Sequence, residues 1–367
     1  MRTAPVLGQR VLNRALLGRQ HLLSRATMPA LAMVGHLVGL QAQAPLAPYV
    51  GLWSRIDAFA PEELASLLTS RRVVRSSLMR STVHLATDAD ALTLPPLLRS
   101  MNAAGFAGHF ANRLGGMDVD AVVRAGAELL AERPRTRAEL KNLLGARWPQ
   151  WDPGSMAYAT SYLVPTVQVT PRGLWGRNGP AALTTLETWL GRPLDPAPSI
   201  DAVVRRYVAA FGPASVKDVQ TWSGLTRLRE VVERLDLRRY TDADGNEFYD
   251  VAEAALPDPD TPAPVRFLPE YDNVLLSHAD RSRIIPTGRR VPLPPGNGAS
   301  TGTVLVDGMF QALWTLRRTD DTCVVQLEPF RKLTAIEEEA LEAEAARLVA
   351  FVSPEADAAL DVVQDGL

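Results

Sequence analysis

The spacing that most suggests shared chemistry in this chain is that of Gln41 and Gln43. In an ideal helix, positions i and i+2 lie about 200° apart, so the two side chains would diverge. Pro45 disfavours helical geometry at Ala44, which predicts an unwound segment in which both glutamines point the same way. A carboxamide carries an acceptor and a donor but no titratable proton. The pair can therefore position a water or a sugar but cannot act as a general base. The alternative is a polar helix terminus that faces water.

A second candidate cluster is formed by Arg80, Thr82 and His84, which occupy every second position. In a strand these side chains would share one face. Arg80 would then bind a phosphate through two hydrogen bonds, and His84 would donate to a phosphate or to another group of the ligand. The alternative for His84 is a hydrogen-bonded packing residue beneath a β-hairpin.

Positive charge is distributed unevenly along the chain. Residues 1–150 contain 18 Arg and Lys against 10 Asp and Glu, a formal charge of +8, whereas the remainder contains 21 against 31, or −10. A basic N-terminal half is typical of a protein that presents one positive face to a polyanion such as DNA. The alternative is that acidic helices near the C-terminus produce the asymmetry.

Four further arginines could extend a basic surface that contacts such a polyanion: Arg281, Arg283, Arg289 and Arg290. The last two belong to segment 285–303, whose Pro-Pro-Gly-Asn-Gly sequence predicts the tip of an extended hairpin with a basic shoulder. The alternatives are a solvated surface loop and, for Arg281, an ion pair with Asp280 or another carboxylate.

Other titratable residues indicate no further catalytic centre. Glu270 and Asp272 have the i, i+2 spacing of a pair that could supply an acid or a base, but Pro269 and the apolar run that follows favour a structural role at a strand entry. The histidines and Cys323 have no metal-binding spacing, and no phosphate-binding glycine motif is present. We therefore expect neither a metal nor a cofactor.

The same composition bounds the class of protein. No window approaches the roughly 18 apolar residues of a membrane helix, and the first 20 residues are too rich in arginine for a secretory signal. These features predict a soluble cytoplasmic protein. With 46% hydrophobic and 22% charged residues, the chain is long enough to bury a sizeable core.

Three stretches share the order of a winged helix: a short helix, a second helix and a strand pair. The third is the clearest, with a capping box at Ser215 and Asp218, a second helix from Thr226 and a hairpin turn at Asp244-Gly245. The first uses helices 28–40 and 61–69 with strands 73–78 and 82–86. The second uses helices 136–144 and 155–167 with a wing around 171–176.

After Pro264 the apolar pattern changes to a period of two. Segments 303–306, 310–316 and 323–327 predict an antiparallel meander with a tight turn at Asp307-Gly308. A terminal helix follows a capping box formed by Thr334 and Glu337. The predicted domains are 1–95, 96–198 and 199–262, each a winged helix, and 263–367, a β-rich subdomain with the basic hairpin and the terminal helix.

Five sequence motifs occur in order along most of the chain, and together they resemble the AlkZ family of tandem winged-helix DNA glycosylases. Any one of them alone would be weak evidence, because a Gln-x-Gln sequence occurs by chance in many proteins. The motifs are Leu40-Gln41-Ala42-Gln43, Met79-Arg80-Ser81-Thr82-Val83-His84-Leu85, Phe211-Gly212-Pro213-Ala214-Ser215, Trp222-Ser223-Gly224-Leu225 and Val306-Asp307-Gly308.

The resemblance implies a helix-rich α+β fold in which three tandem winged helices form a C-shaped, concave DNA-binding surface. It also implies that Gln41 and Gln43 match a catalytic Gln-hydrophobic-Gln motif, and that the hairpin bearing Arg289 and Arg290 enters a DNA groove. The implied activity is excision of alkylated purines, including the unhooking of interstrand crosslinks in antibiotic self-resistance, by a monomer that leaves an abasic site.

Neutral amides fit only an easy leaving group, because most glycosidases rely on a pair of carboxylates. An N7- or N3-alkylated purine already carries a positive charge that departure neutralises, so the substrate range should be limited to such bases. The competing hypothesis is a non-catalytic tandem winged-helix binder or regulator. This hypothesis gives Gln41 and Gln43 no function. The recognition helix of the third module would also expose Glu230 and Glu233 beside Arg227 and Arg234, and such a surface is poorly suited to contacting bases.

Overall fold

The computed structural model describes residues 4–291, 301–319 and 321–363. The described residues form a six-stranded sheet in the N-terminal half and a five-stranded sheet in the C-terminal part. A long helix near the C-terminus accompanies the second sheet. The helices are α1 (Gln9–Arg19), α2 (Ala30–His36), α3 (Ala47–Trp53), α4 (Pro61–Thr69), α5 (Asp88–His109), α6 (Val119–Glu132), α7 (Arg137–Arg147), α8 (Pro153–Leu163), α9 (Leu186–Leu190), α10 (Ile200–Phe211), α11 (Val216–Ser223), α12 (Arg229–Arg234), α13 (Asn273–Leu276) and α14 (Ala335–Val352).

The strands form two larger sheets and one hairpin. In sheet order, the first reads β1-β3-β2-β5-β6-β4, the second β13-β12-β11-β10-β9, and the hairpin pairs β7 with β8. The strands are β1 (Leu40–Gln41), β2 (Val73–Ser77), β3 (Val83–Thr87), β4 (Arg135–Thr136), β5 (Thr166–Gln168), β6 (Ala182–Thr185), β7 (Leu237–Thr241), β8 (Glu247–Val251), β9 (Arg266–Leu268), β10 (Gly302–Val306), β11 (Met309–Arg318), β12 (Thr322–Pro329) and β13 (Asp357–Val362).

The helix-rich α+β class is confirmed, and the local signals that predicted helix starts are accurate. Ser215 and Thr334 each cap a helix through reciprocal side-chain and backbone hydrogen bonds with the residue three positions later. Such a capping box satisfies two of the donors that a helix start leaves unpaired. Helix α14 buries Leu341, Ala345, Leu348 and Val352.

In the first predicted module, the helix expected over residues 28–40 ends at His36, and Leu40 and Gln41 form β1 instead. Helix α3 follows and was not predicted. Every one of its residues is buried, so its sequence shows no amphipathic period. In the second module, α8 ends at Leu163, and the strands of the wing, β5 and β6, flank the predicted segment 171–176 rather than lie within it.

The predicted boundary between residues 95 and 96 is wrong, because it falls inside α5. Ala91, Leu94 and Leu98 of this helix are buried, and that packing carries the helix through two prolines that would otherwise favour a break. The boundaries after residues 198 and 262 fall in loops, and the division into modules remains an interpretation.

The strands of the first two modules are not separate. β2 pairs with β5, so both strand pairs belong to one sheet. The C-terminal sheet likewise shares a core with the first module, in which Leu40 and Val73 pack in one cluster with Phe267 and Leu348. The first module, the C-terminal sheet and α14 therefore share one hydrophobic core, to which Leu40 of β1 belongs.

The C-terminal meander is confirmed, with two additions. β9 extends it on one side, and β13 pairs with β12 in parallel on the other. The turn at Asp307-Gly308 has positive φ angles of 45° and 76°. A Cβ at Gly308 would lie 2.5 Å from Leu17 and 2.7 Å from Asn13, so glycine lets α1 pack directly on this turn.

Candidate active site

Gln41 lies on β1, where it is the register partner of His84 on β3. The backbone N–H of Ala42 donates to the carbonyl of Val83 at 2.7 Å, which extends the pairing by one residue. The unwound conformation predicted from Pro45 is therefore confirmed, and strand pairing fixes it.

The two glutamine side chains converge. Gln41 Nε2 donates to Gln43 Oε1 at 2.5 Å. Gln41 is only 6% exposed, whereas Gln43 is partly exposed and lines an open cleft. The buried glutamine thus supports the one that can reach a ligand.

Arg80 determines which way the Gln41 amide points. Its Nη2 donates to Gln41 Oε1 at 2.8 Å, and its Nη1 donates to the carbonyl of Trp222 at 2.5 Å. A guanidinium has only donors, so Gln41 must turn its oxygen toward Arg80 and its amide nitrogen toward Gln43. Burial, with a smaller contribution from Arg281, lowers the pKa of Arg80 to about 10, so it remains charged at neutral pH.

This position corrects the expectation that Arg80 lies on a strand and binds phosphate. Arg80 belongs to a 3₁₀ turn with φ of 54°, and its guanidinium is engaged by Gln41 and Trp222. The turn packs against the end of α11, where Gly224 has φ of +80°. A Cβ at Gly224 would lie 3.3 Å from the backbone N and Cα of Arg80, so this glycine permits the close approach.

A residue that the sequence reasoning missed holds the backbone of Gln41. Asn273 Oδ1 accepts from the Gln41 N–H at 3.1 Å, and Asn273 Nδ2 donates to the carbonyl of Gly39 at 2.6 Å. Its neighbour Asp272 forms a two-bond ion pair with Arg55, at 2.7 and 2.8 Å. The structural role expected for Asp272 fits this buried pair. Nothing in the spacing of Asn273 indicated its function.

His84 is a buried residue of β3, next to Gln41 in the sheet. It is 1% exposed, and its Nδ1 is hydrogen-bonded to the carbonyl of Thr82 at 2.9 Å. Burial, followed by the charge of Arg80, lowers the pKa of His84 to about 3. A buried neutral ring cannot donate to a phosphate at the surface, so the prediction of direct DNA contact by His84 is corrected in favour of the packing alternative.

The cleft next to Gln43 has a volume of about 490 Å³. Arg75, Arg80 and Arg137 line it together with Tyr158 and Tyr162, and no acidic residue of the described chain belongs to the lining. Such a cleft concentrates positive potential where an anionic ligand would enter.

Arg75 was also missed by the sequence reasoning. It is 2% exposed and donates to the carbonyl of Pro45 at 3.2 Å and to Gln168 Oε1 at 3.1 Å, which anchors the loop after Gln43. Burial, with a contribution from Arg172, lowers its pKa to about 10. No carboxylate of the described residues pairs with it.

A family model described as DNA glycosylase AlkZ-like matches residues 34–351. The chain belongs to the AlkZ-like DNA glycosylase family. The solved structure of Streptomyces sahachiroi DNA glycosylase AlkZ is similar, with a TM-score of 0.76 and 22% sequence identity over 98% of this chain and 100% of that one. No curated protein matches the sequence.

Membership of the AlkZ-like family makes this chain a DNA repair glycosylase that binds DNA. The five motifs thus pointed to the correct family. None of the helices described here combines the length and the apolar character needed to cross a bilayer.

The C-terminal arginines of this family member differ in exposure. Arg283 is 3% exposed and donates to the carbonyl of Pro213 at 2.8 Å, with Asp218 at 3.9 Å. The expectation that Arg283 contacts DNA is therefore corrected, because its guanidinium is enclosed by protein. Arg281 is half-buried and donates to the carbonyl of His278 at 3.2 Å.

Arg289 and Arg290 are both exposed, which leaves the prediction of DNA contact open to test. The guanidinium of Arg289 lies 4.4 Å from the centre of the Phe330 ring and donates to the Phe330 carbonyl at 3.0 Å. The predicted hairpin tip, residues 294–298, lies outside the described residues.

Proposed function

We propose that this glycosylase hydrolyses the N-glycosidic bond of cationic N7- and N3-alkylpurines in duplex DNA and leaves an abasic site. The proposed substrates include bulky adducts and interstrand crosslinks. The proposed enzyme is monofunctional, acts as a monomer and works at the nucleoid in the cytoplasm. The observation that carries it is a hydrogen-bonded pair of neutral amides at the wall of a basic cleft whose described lining contains no carboxylate.

The amides position a water rather than activate it. Gln41 donates to the carboxamide oxygen of Gln43 and so fixes the direction of that amide. The Gln43 carboxamide, the more exposed of the two, then holds a water near C1′ of the sugar. Because neither amide removes a proton, the reaction depends on a base that is already a good leaving group.

Arg80 acts through Gln41 in this proposal. Its charge is directed at the carbonyl oxygens of Gln41 and Trp222, so it polarises the amides without facing the positive charge that develops on the sugar. The remaining arginines of the cleft, Arg75 and Arg137, supply positive potential for the DNA backbone.

The form of the cleft favours large lesions. An enclosed base-flipping pocket would exclude a crosslinked base, because both strands stay attached to it. The cleft beside Gln43 opens to solvent along Arg137, which is exposed. A bulky adduct can therefore remain partly outside while its glycosidic bond meets the glutamines.

The test is a time course of base release from duplex DNA that contains 7-methylguanine. We expect release by the wild type, and slower release, by about 10²-fold or more, for Gln41→Ala and Gln43→Ala. Gln168→Ala is the matched control, because Gln168 lines the same cleft but bonds Arg75 and not the glutamine pair. Strands should break only after alkali treatment, as an abasic site requires.

Absence of released base, or release at the wild-type rate by both alanine variants, would refute the proposal. Tight binding to one undamaged sequence would instead support a regulator. The structure favours the enzyme, because Arg229 and Arg234 of the third recognition helix are engaged by Glu233 and Asp201 rather than available for bases.

A further inference from the structure

Each buried carboxylate of the described residues pairs with an arginine. A buried carboxylate without a partner is strongly unfavourable, so such pairing is expected. The pairs are Asp90 with Arg206, Asp218 with Arg283, Asp250 with Arg19, Asp272 with Arg55, and Glu344 with Arg25 and Arg266.

Glu270 is half-buried, and unlike these five carboxylates it has no cationic group of the described residues within ion-pair distance. Burial raises the pKa of Glu270 above its usual range, the direction expected where no cation offsets desolvation. The position thus differs from Asp272, two residues later, whose charge is fully compensated by Arg55.

Glu270 lines a cavity of about 350 Å³ whose walls include the indole rings of Trp175 and Trp314. The indole N–H of Trp314 already donates to the carbonyl of Leu268 at 2.8 Å, so it is not a donor toward the cavity. Trp175 is held against Tyr49, with ring centres 4.8 Å apart. Aromatic faces and an anion together form the usual environment for a bound organic cation.

One positive group, Arg318, also borders the cavity. It is exposed, and its Nη2 donates to the carbonyl of Val352 at 3.0 Å. An exposed guanidinium is screened by water, so it contributes little to neutralising Glu270.

The cavity adjoins the glutamine pair. Ala44, Pro45, Leu46 and Ala47 form part of its wall, and Gln43, the preceding residue, lines the basic cleft. The loop after Gln43 therefore lies between a site with an excess of arginine and a site with an uncompensated carboxylate. A nucleotide bearing an alkylated purine has the matching polarity, with an anionic phosphate at one end and a cationic base at the other.

We propose that the cavity lined by Glu270, Trp175 and Trp314 binds the positively charged base of the damaged nucleotide, with Glu270 as its counter-ion. This inference rests on the proposed function, because it needs a cationic purine as substrate. It assigns charge recognition to the cavity and bond hydrolysis to the glutamines.

The proposal has a kinetic consequence. When the glycosidic bond breaks, positive charge leaves the base and appears on the sugar, so Glu270 stabilises the bound substrate more than the transition state. Removing its charge should therefore weaken binding and leave the chemical step unchanged or slightly faster. A carboxylate next to the sugar would show the opposite pattern.

The experiment compares Glu270→Gln with wild type on a duplex that contains 7-methylguanine. We expect KM to rise about 5- to 30-fold with kcat within about twofold. Affinity for a duplex with a cleavage-resistant, 2′-fluorinated 7-methylguanine nucleotide should fall by the same factor, and affinity for undamaged duplex should not change. Glu342→Gln on the exposed face of α14 is the matched control. Glu270→Asp, which keeps the charge, should lose less than Glu270→Gln.

Unchanged KM and affinity in Glu270→Gln would overturn the inference, as would a fall in kcat at constant KM. Thermal unfolding of each variant checks that the fold is intact. The two proposals fail separately. If the wild type excises the base and Gln41→Ala and Gln43→Ala do not, a Glu270→Gln variant that behaves like the wild type refutes only base binding in the cavity. If nothing is excised, the proposed function fails, and the affinity measurements still test the cavity.

Discussion

Replacing Arg80 with methionine tests whether the orientation of the glutamine pair matters for excision. The substitution removes hydrogen bonds to Gln41 Oε1 and to the carbonyl of Trp222. A hydrogen bond from a charged donor contributes about 1.5–3 kcal/mol. Only the bond to Gln41 sets the direction of the amides, and at about 1.4 kcal/mol per tenfold its loss predicts excision slower by about 10- to 150-fold.

The assay is single-turnover release of 7-methylguanine at saturating enzyme, together with the salt dependence of binding to undamaged duplex. Because Arg80 points at protein carbonyls, Arg80→Met should leave the salt slope unchanged. Arg137→Met is the control. Arg137 lines the same cleft and lies 4.6 Å from the Tyr158 ring centre, without touching the glutamines. Loss of a phosphate contact there would reduce the slope by about 0.9 and spare the single-turnover rate.

Two results would refute the reasoning. If Arg80→Met lowered the salt slope by about one and left the single-turnover rate intact, Arg80 would be a phosphate contact after all. If Arg80→Lys matched the wild-type rate, a point charge would suffice, and the fixed fork of the guanidinium would not be what orients Gln41.

Three further outcomes follow from the buried contacts. Asp272→Asn leaves Arg55 buried without its counter-charge and should lower the free energy of unfolding by about 3–5 kcal/mol, measured in urea. Gly224→Ala places a Cβ 3.3 Å from the Arg80 backbone at a φ of +80°, so both the melting temperature and the excision rate should fall. Burial holds the pKa of His84 and of His278 at about 3. In the unfolded chain these histidines take up protons below pH of about 6.5, whereas in the folded protein they stay neutral down to about pH 3. The free energy of unfolding should therefore fall as the pH drops from about 6.5 toward 3. The excision rate should show no change between pH 7 and 8 that is due to titration of His84.

The sequence predicted those features that depend on neighbouring residues. Pro45 acts on the adjacent backbone, and the capping box at Ser215 and Asp218 spans three residues, so both could be read directly. The convergence of Gln41 and Gln43 belongs to the same class, because it follows from strand geometry over two positions.

Contacts between distant residues could not be predicted in this way. Arg80 meets Gln41 across 39 positions and Trp222 across 142, and no pattern in one sequence encodes that meeting. Exposure was also misjudged for Arg283 and His84, because residue type alone does not show whether another element covers a side chain. Glu270 and Asp272 look equivalent in sequence, and only the position of Arg55 separates them.

The single sheet shared by the first two strand pairs limits how this chain can be divided. β2 contacts β3 on one side and β5 on the other, so a fragment that stops before β5 would present an unpaired strand edge to solvent. Such edges associate with one another. Separately expressed halves should therefore aggregate rather than behave as independent modules.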